Sequence, residues 1–369
     1  MKNQISILAL LAALAACSGG NPFEASDAAD GVTDEDTGEA ITVDDDAEDD
    51  EEGTGINRDG IPPGTSTPSP ENALFRKEET GEDGSDEQGN GFATGISYNS
   101  ADDTFTVDNL AFDGDSPYVR GVAVSSITPN SDGNGEFAVY EAPAVAIDPI
   151  NGEEIDQFEY RAVYGVSRNR IENADGTTST TPTTQFAIVR TGQYIDYGFG
   201  GFIYQRDNSV TLPTTLQARF EGKSGGLLDS KTAGELYYTS GDVEVNIDYD
   251  DFNDSSEVRG DGVYGVIYNR TILDLDGNDV TSDIAAEAGA TSIPNVVFEV
   301  GPDVLDNNGD LVIDIQSQLN GEIFEQGKFY AIVAGDDPDE IVGVFVLENE
   351  LGYRDTSGFI VYRDPDIRP

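Results

Sequence analysis

The chain contains a single cysteine, Cys17, and the residues directly before it are Leu14-Ala15-Ala16. Small side chains before a thiol, at the end of an apolar run from Ile5 to Ala16, read as a secretory signal with its cleavage site, which leaves a reactive thiol at that boundary. A second group able to do chemistry is Asp274-Leu275-Asp276-Gly277-Asn278-Asp279. Oxygen ligands alternating around a Gly that permits a sharp bend suit calcium, which makes Asp274, Asp276 and Asp279 candidate ligands. The third acid is displaced from the usual loop pattern, and Ala285 stands where a bidentate Glu belongs, so a plain hairpin turn is the preferred reading. Asp306-Asn307-Asn308-Gly309-Asp310 repeats the theme. The third candidate is aromatic: Tyr194, Tyr197 and Tyr204 lie in a Gly-rich stretch that reads either as a Tyr-lined binding surface or as packing between two β units, the second being preferred.

Composition removes other chemistries. With no His there is no Ser-His-Asp triad, no His general base and no ordinary zinc site. Glycosidase-type carboxylate pairs remain conceivable, but 72 acidic residues create many close pairs by chance. Enzymatic activity is therefore not expected. Nineteen basic residues against those acids give −53, which repels nucleic acid and anionic lipid alike. No cysteine beyond Cys17 is present for a disulfide, so hydrophobic packing, with 17 Phe and 16 Tyr, has to hold the fold.

Met1 and Lys2 supply a positive head to the apolar run, which is shorter than the roughly 20 residues needed to span a bilayer. Leu14-Ala15-Ala16-Cys17 resembles the lipobox of bacterial lipoproteins. That resemblance implies a signal peptide over 1–16 and a covalent lipid on Cys17, which becomes the first residue and the anchor in a membrane. A Ser such as Ser18 after the cysteine implies the outer membrane. Two or more acyl chains make a stable anchor where a single one is marginal.

Residues 17–90 follow as an acidic tether. From 18 to 90 there are 23 acids against Arg58, Arg76 and Lys77, and eight of the nine residues from Asp44 to Glu52 are acidic. So few large apolar side chains and so much like charge predict an extended, disordered segment, either a solvated spacer or a cation-binding or partner-binding tail.

From about Gly91 the texture changes to short runs of β-branched and aromatic residues separated by Gly, Asn and Asp. Strands are expected over 93–98, 104–110, 118–126, 135–142, 158–166, 186–190 and 200–205, with an exposed polar loop over 177–184. These make a β-rich unit over 91–210. A more regular series follows over 211–369: runs at 216–220, 235–239, 243–249, 262–271, 295–300, 311–316, 328–334, 341–348 and 359–363. Leu216, Ala218 and Phe220, then Val243, Val245, Ile247 and Tyr249, alternate with polar residues, which turns one face to a core. Nine runs suffice for a closed antiparallel β-barrel of about eight strands. Only 283–290 reads as helix. The runs are short and their alternate face is rich in Asp, Glu and Asn, so the barrel is expected to be soluble rather than membrane-spanning.

Lys328-Phe329-Tyr330-Ala331-Ile332-Val333-Ala334-Gly335, the turn Asp336-Asp337-Pro338-Asp339 and Glu340-Ile341-Val342-Gly343-Val344-Phe345 resemble the closing hairpin of the barrel lobes of transferrin-binding protein B and factor H-binding protein. Thr215 to Gly222, Gly234 to Gly241 and Val243 to Phe252 are similar to that family's opening strands. The chain departs from the pattern at Ala331, Ala334 and Phe220, and it is far more acidic. The resemblance implies an all-β lipoprotein displaying a barrel for binding, not a particular ligand. The expectation is thus a non-enzymatic lipoprotein, lipid-anchored at the outer membrane, that captures a protein or small solute. The alternative is an envelope spacer with weak divalent-cation binding.

Overall fold

A computed structural model describes residues 56–58, 74–77, 90–91, 95–108, 110, 117–129, 135–142, 145–147, 150–156, 158–173, 175–192, 199–215, 217–231, 235–249, 262–298 and 304–364. The architecture is all-β, with one short helix, Thr281–Glu287, among the described residues.

Eight antiparallel strands close into the barrel: Gln217–Ser230, Leu236–Asp248, Gly262–Leu273, Val296–Phe298, Asp310–Leu319, Glu322–Ala334, Glu340–Asn349 and Tyr353–Arg363. The first pairs with the last, Phe220 opposite Arg363, so the barrel has no free edge. The two runs expected over 235–239 and 243–249 are one continuous strand. Ser240-Gly241-Asp242, which separates the two runs in the sequence, is a shift of register against Gly262–Leu273. That is how nine runs become eight strands. Alternation does its predicted work: Phe220, Val245, Ile267, Phe329, Phe345 and Phe359 point inward into one apolar cluster. In the closing hairpin, a Cβ at Gly343 would lie 2.1 Å from the Tyr330 carbonyl oxygen and 2.6 Å from the Phe359 ring. Only Gly lets that ring pass.

A second sheet, of eleven strands, lies N-terminal to the barrel. Its order along the main path is Ile56–Arg58, Gly95–Asn99, Thr104–Asp108, Tyr118–Arg120, Gly135–Glu141, Arg161–Val166, Thr184–Arg190, Phe199–Arg206 and Leu74–Lys77. The run expected over 118–126 is broken: Tyr118–Arg120 and Ser126–Pro129 pair separately with Gly135–Glu141. The polar stretch expected as a loop over 177–184 also departs from expectation. Thr178–Pro182 forms a ribbon with Arg170–Glu172, and Thr184 opens the next strand, because threonines suit a pleated, half-exposed surface. Within the acidic stretch, Ile56–Arg58, Leu74–Lys77 and Asn90–Gly91 are all paired to this sheet. Ile56, Leu74 and Phe75 are among the few large apolar residues there.

The central strand Thr184–Arg190 is buried throughout, so both its faces are covered. Ala187 and Val189 join Phe105, Tyr118, Tyr140, Tyr160 and Tyr164 in one cluster. Phe186 and Ile188 join Phe202, Tyr204 and, from the outer wall of the barrel, Leu227, Tyr238, Val342, Val344 and Ile360 in another. The sheet and the barrel therefore share a core. Polar ties reinforce it. Buried Glu340 accepts hydrogen bonds from Ser167 (2.6 Å), Thr183 (2.5 Å) and Asn169 (2.8 Å) of the sheet side. Arg76 forms a buried ion pair with Asp310, and Arg206 donates to the carbonyls of Asn308 and Val333.

Candidate ligand groove and barrel interior

Side chains at alternate positions on neighbouring strands line an open groove on the sheet, with a volume of about 270 Å³. Glu136, Ala138 and Tyr140 share one face of Gly135–Glu141. Tyr164 lies opposite Ala138 in the next strand, and Tyr98, Arg120 and Arg170 complete the walls. Asp103, held at a positive φ of 51° in the turn before Thr104–Asp108, organises one side. Its carboxylate accepts from Arg120 Nε (3.0 Å) and Nη2 (2.9 Å), from the Tyr140 hydroxyl (2.8 Å) and from the Tyr98 hydroxyl (3.2 Å). The Arg120 hydrogen bonds, with those of the tyrosines, hold the Asp103 carboxyl below the usual carboxylate range. Arg120 lies over the Tyr140 ring at 4.5 Å. Tyr164 donates to Gln185 at 2.7 Å. Burial raises the Tyr140 hydroxyl far above its ordinary value, so it stays a donor.

Glu136 is different. Among the described residues no group hydrogen-bonds to its carboxylate, and burial raises its pKa, with Arg168 and Lys223 opposing at longer range. Both cations are engaged elsewhere: Arg168 stacks on Tyr362 at 3.7 Å, and Lys223 is paired with Asp242. Arg170 is exposed, and its described bonds are two from Nη1, to the carbonyls of Ser167 and Asn169.

The barrel interior holds a second charged group. Arg270 is paired with Glu325 and reaches Asp355 at 3.1 Å, all three side chains being at most 8% exposed. Ser317 donates to Glu325 at 2.9 Å, and Ser357 donates to Asp355 at 2.6 Å. Burial raises the Asp355 pKa, with Arg270 pulling the other way. Below this layer is the apolar barrel core. Above it Leu228, Ile272, Ile284, Ile293 and Tyr353 form a lid around the helix Thr281–Glu287.

The expected site residues fall as follows. Asp274 Oδ1 accepts the amides of Asp276 (3.0 Å) and Asn278 (2.8 Å), and Oδ2 accepts the Asn278 side-chain amide (2.9 Å). Asp279 accepts the Thr281 amide at 2.9 Å, at the start of the helix. Asp276 is exposed. Asp306 repeats the Asp274 pattern, and Gly277 and Gly309 share a positive φ of 85° and 84°. Both loops use their first carboxylate to brace their own turn, and the described residues hold no metal-type cluster of three or more acidic or Cys side chains. Tyr204 is buried between sheet and barrel, stacked with Phe202 at 6.3 Å. Tyr194, Tyr197 and Cys17 lie outside the described residues.

The groove and the barrel charges were not singled out in the sequence. For the barrel a signal existed: Glu325, Gly327 and Phe329 share one face, as do Asp355, Ser357 and Phe359, so strict alternation from the inward phenylalanines puts a charge inside.

No family model and no curated protein matches the chain. Among solved structures it is similar to two mutant forms of transferrin-binding protein B from Haemophilus parasuis. One is 11% identical with a TM-score of 0.32 over 60% of this chain and 40% of the other. The second is 10% identical with a TM-score of 0.34 over 72% and 43%. It is also similar to the intact two-lobed TbpB structure, at 11% identity and a TM-score of 0.31, over 70% and 44%. The chain thus spans less than half the length of these three proteins.

Proposed function

We propose that this protein is a non-enzymatic binding lipoprotein, lipid-anchored through Cys17 at the outer membrane, whose β body captures a protein or a small solute at the cell envelope. The binding half of this reading rests on the groove, a concave space lined by one half-buried carboxylate without a described hydrogen bond, Glu136, and one exposed guanidinium, Arg170, whose described bonds are only to backbone carbonyls. The anchoring half rests on Leu14-Ala15-Ala16-Cys17 and on a net charge of −53, which leaves acylation rather than a basic patch to supply membrane affinity. The absence of His supports a binding rather than a catalytic role.

The test is metabolic labelling with palmitate and protease treatment of intact cells, with Cys17→Ala as control. Label lost in Cys17→Ala, together with release of that variant from the membrane fraction, is the expected result. Label retained in Cys17→Ala overturns the anchoring claim. Cleavage of the wild-type chain on sealed cells places it outside, whereas protection until the outer membrane is opened gives it a periplasmic role.

A further inference from the structure

The groove carries a more specific reading, which rests on the binding function proposed above. We infer that it takes a small zwitterion bearing an ammonium group and a carboxylate, as in a betaine or an amino acid, with the ammonium at Glu136 and the carboxylate at Arg170.

Elimination within the groove leads there. Its volume is about 270 Å³, whereas a water's share of liquid is only about 30 Å³, so the space suits a small molecule. The charges already satisfied can be set aside. Asp103 is consumed by Arg120 and two tyrosine hydroxyls, and Arg120 in turn by Asp103 and the Tyr140 ring. The hydroxyls of Tyr98, Tyr140 and Tyr164 are all engaged, and Tyr140 and Tyr164 are buried in the sheet core, so the ring surface left for a guest is that of half-buried Tyr98. Ring faces are negative and attract alkylammonium groups, and a nearby carboxylate strengthens that attraction. Among the described residues Glu136 is the groove carboxylate left without a hydrogen bond, half-buried where burial of an unpaired charge is unfavourable. Arg170 is the exposed guanidinium at the rim, able to hold a planar carboxylate.

Each simpler ligand leaves one of these groups opposed. An anion meets Glu136 and the field of a strongly acidic chain, a plain cation meets Arg170, and a neutral solute leaves Glu136 without a counter-ion. A zwitterion answers both.

Calorimetric titration of the full chain, purified in detergent, with glycine betaine, choline and acetate tests this. Glycine betaine is expected to bind at least about tenfold more tightly than either choline or acetate, because it satisfies both Glu136 and Arg170 where each of the others satisfies one. Glu136→Gln should weaken betaine and choline by about tenfold or more and leave acetate unchanged or tighter. Arg170→Met should bring betaine down to the level of choline. Melting curves that match wild type show that neither change acts through folding. Absence of betaine binding, betaine binding untouched by both substitutions, or acetate as the best ligand each overturns the inference. None of these outcomes alters the palmitate and protease results, on which the lipoprotein reading stands or falls separately.

Discussion

Arg270, Glu325 and Asp355 sit between two apolar layers, every one of them bonded to another, whereas Glu136 and Arg170 face open space and bond to each other in no described contact. Both regions lie on the same kind of scaffold, a pleated strand with alternating faces. What differs is closure. In the barrel the strand ladder runs all the way round and a short helix covers the end, so a charge placed inward must find its partner within the protein or be neutralised. In the sheet the groove stays open to solvent, and the site stays available. The lesson is that pairing marks structural charge and its lack marks the place to look for a ligand.

The contrast breaks first where it is strongest. Arg270→Met leaves two buried carboxylates facing each other and is expected to cost about 3–5 kcal/mol in urea unfolding. A loss under about 1 kcal/mol would mean that the interior is wet and the contrast false. Tyr140→Phe removes a hydroxyl donated to an ionised Asp103, with an expected cost of about 1.5–3 kcal/mol. No change in the unfolding midpoint would show that Asp103 needs only Arg120.

Asp355→Asn sharpens the comparison. The wild-type cluster has two carboxylates for one guanidinium, and burial raises the Asp355 pKa above its ordinary 3.8. A raised carboxyl favours the protonated native state, so its contribution is complete below pH 3.8 and is lost as pH rises through the native value. Wild type should therefore lose stability relative to Asp355→Asn on going upward from pH 3.8, with the variant equal or more stable at neutral pH. A variant less stable at pH 7 by more than about 2 kcal/mol would show that the ion-pair geometry outweighs the excess charge. Smallest of all, Glu136→Gln should change stability by no more than about 0.5 kcal/mol, because no described partner is lost. A large drop would reveal a structural role and dissolve the distinction.

The barrel was legible because Val243, Val245 and Ile247, and likewise Phe329 and Ala331, keep a strict two-residue period. What misled was the polar break at Ser240-Gly241-Asp242, which splits one strand into two runs, and the Thr178–Pro182 stretch, whose pairing with Arg170–Glu172 depends on contacts that composition does not encode. The groove was not legible at all. Tyr98, Arg120, Glu136, Tyr164 and Arg170 come from five separate strands and converge only through the sheet order and register. The Asp274 loop was read as a turn because its third acid is out of place, and its carboxylate does brace the loop backbone.

The pairing of Phe220 with Arg363 has a consequence for the order of events during synthesis. A chain emerging from the ribosome has made every strand of the barrel but the last before the first can find its second neighbour, so Gln217–Ser230 waits with one side open until Tyr353–Arg363 arrives. Such long-range closure is slow compared with hairpin formation. On the proposed reading as an exported lipoprotein, that delay is useful: the polypeptide stays threadable through a translocation channel for as long as the strand Tyr353–Arg363 is missing.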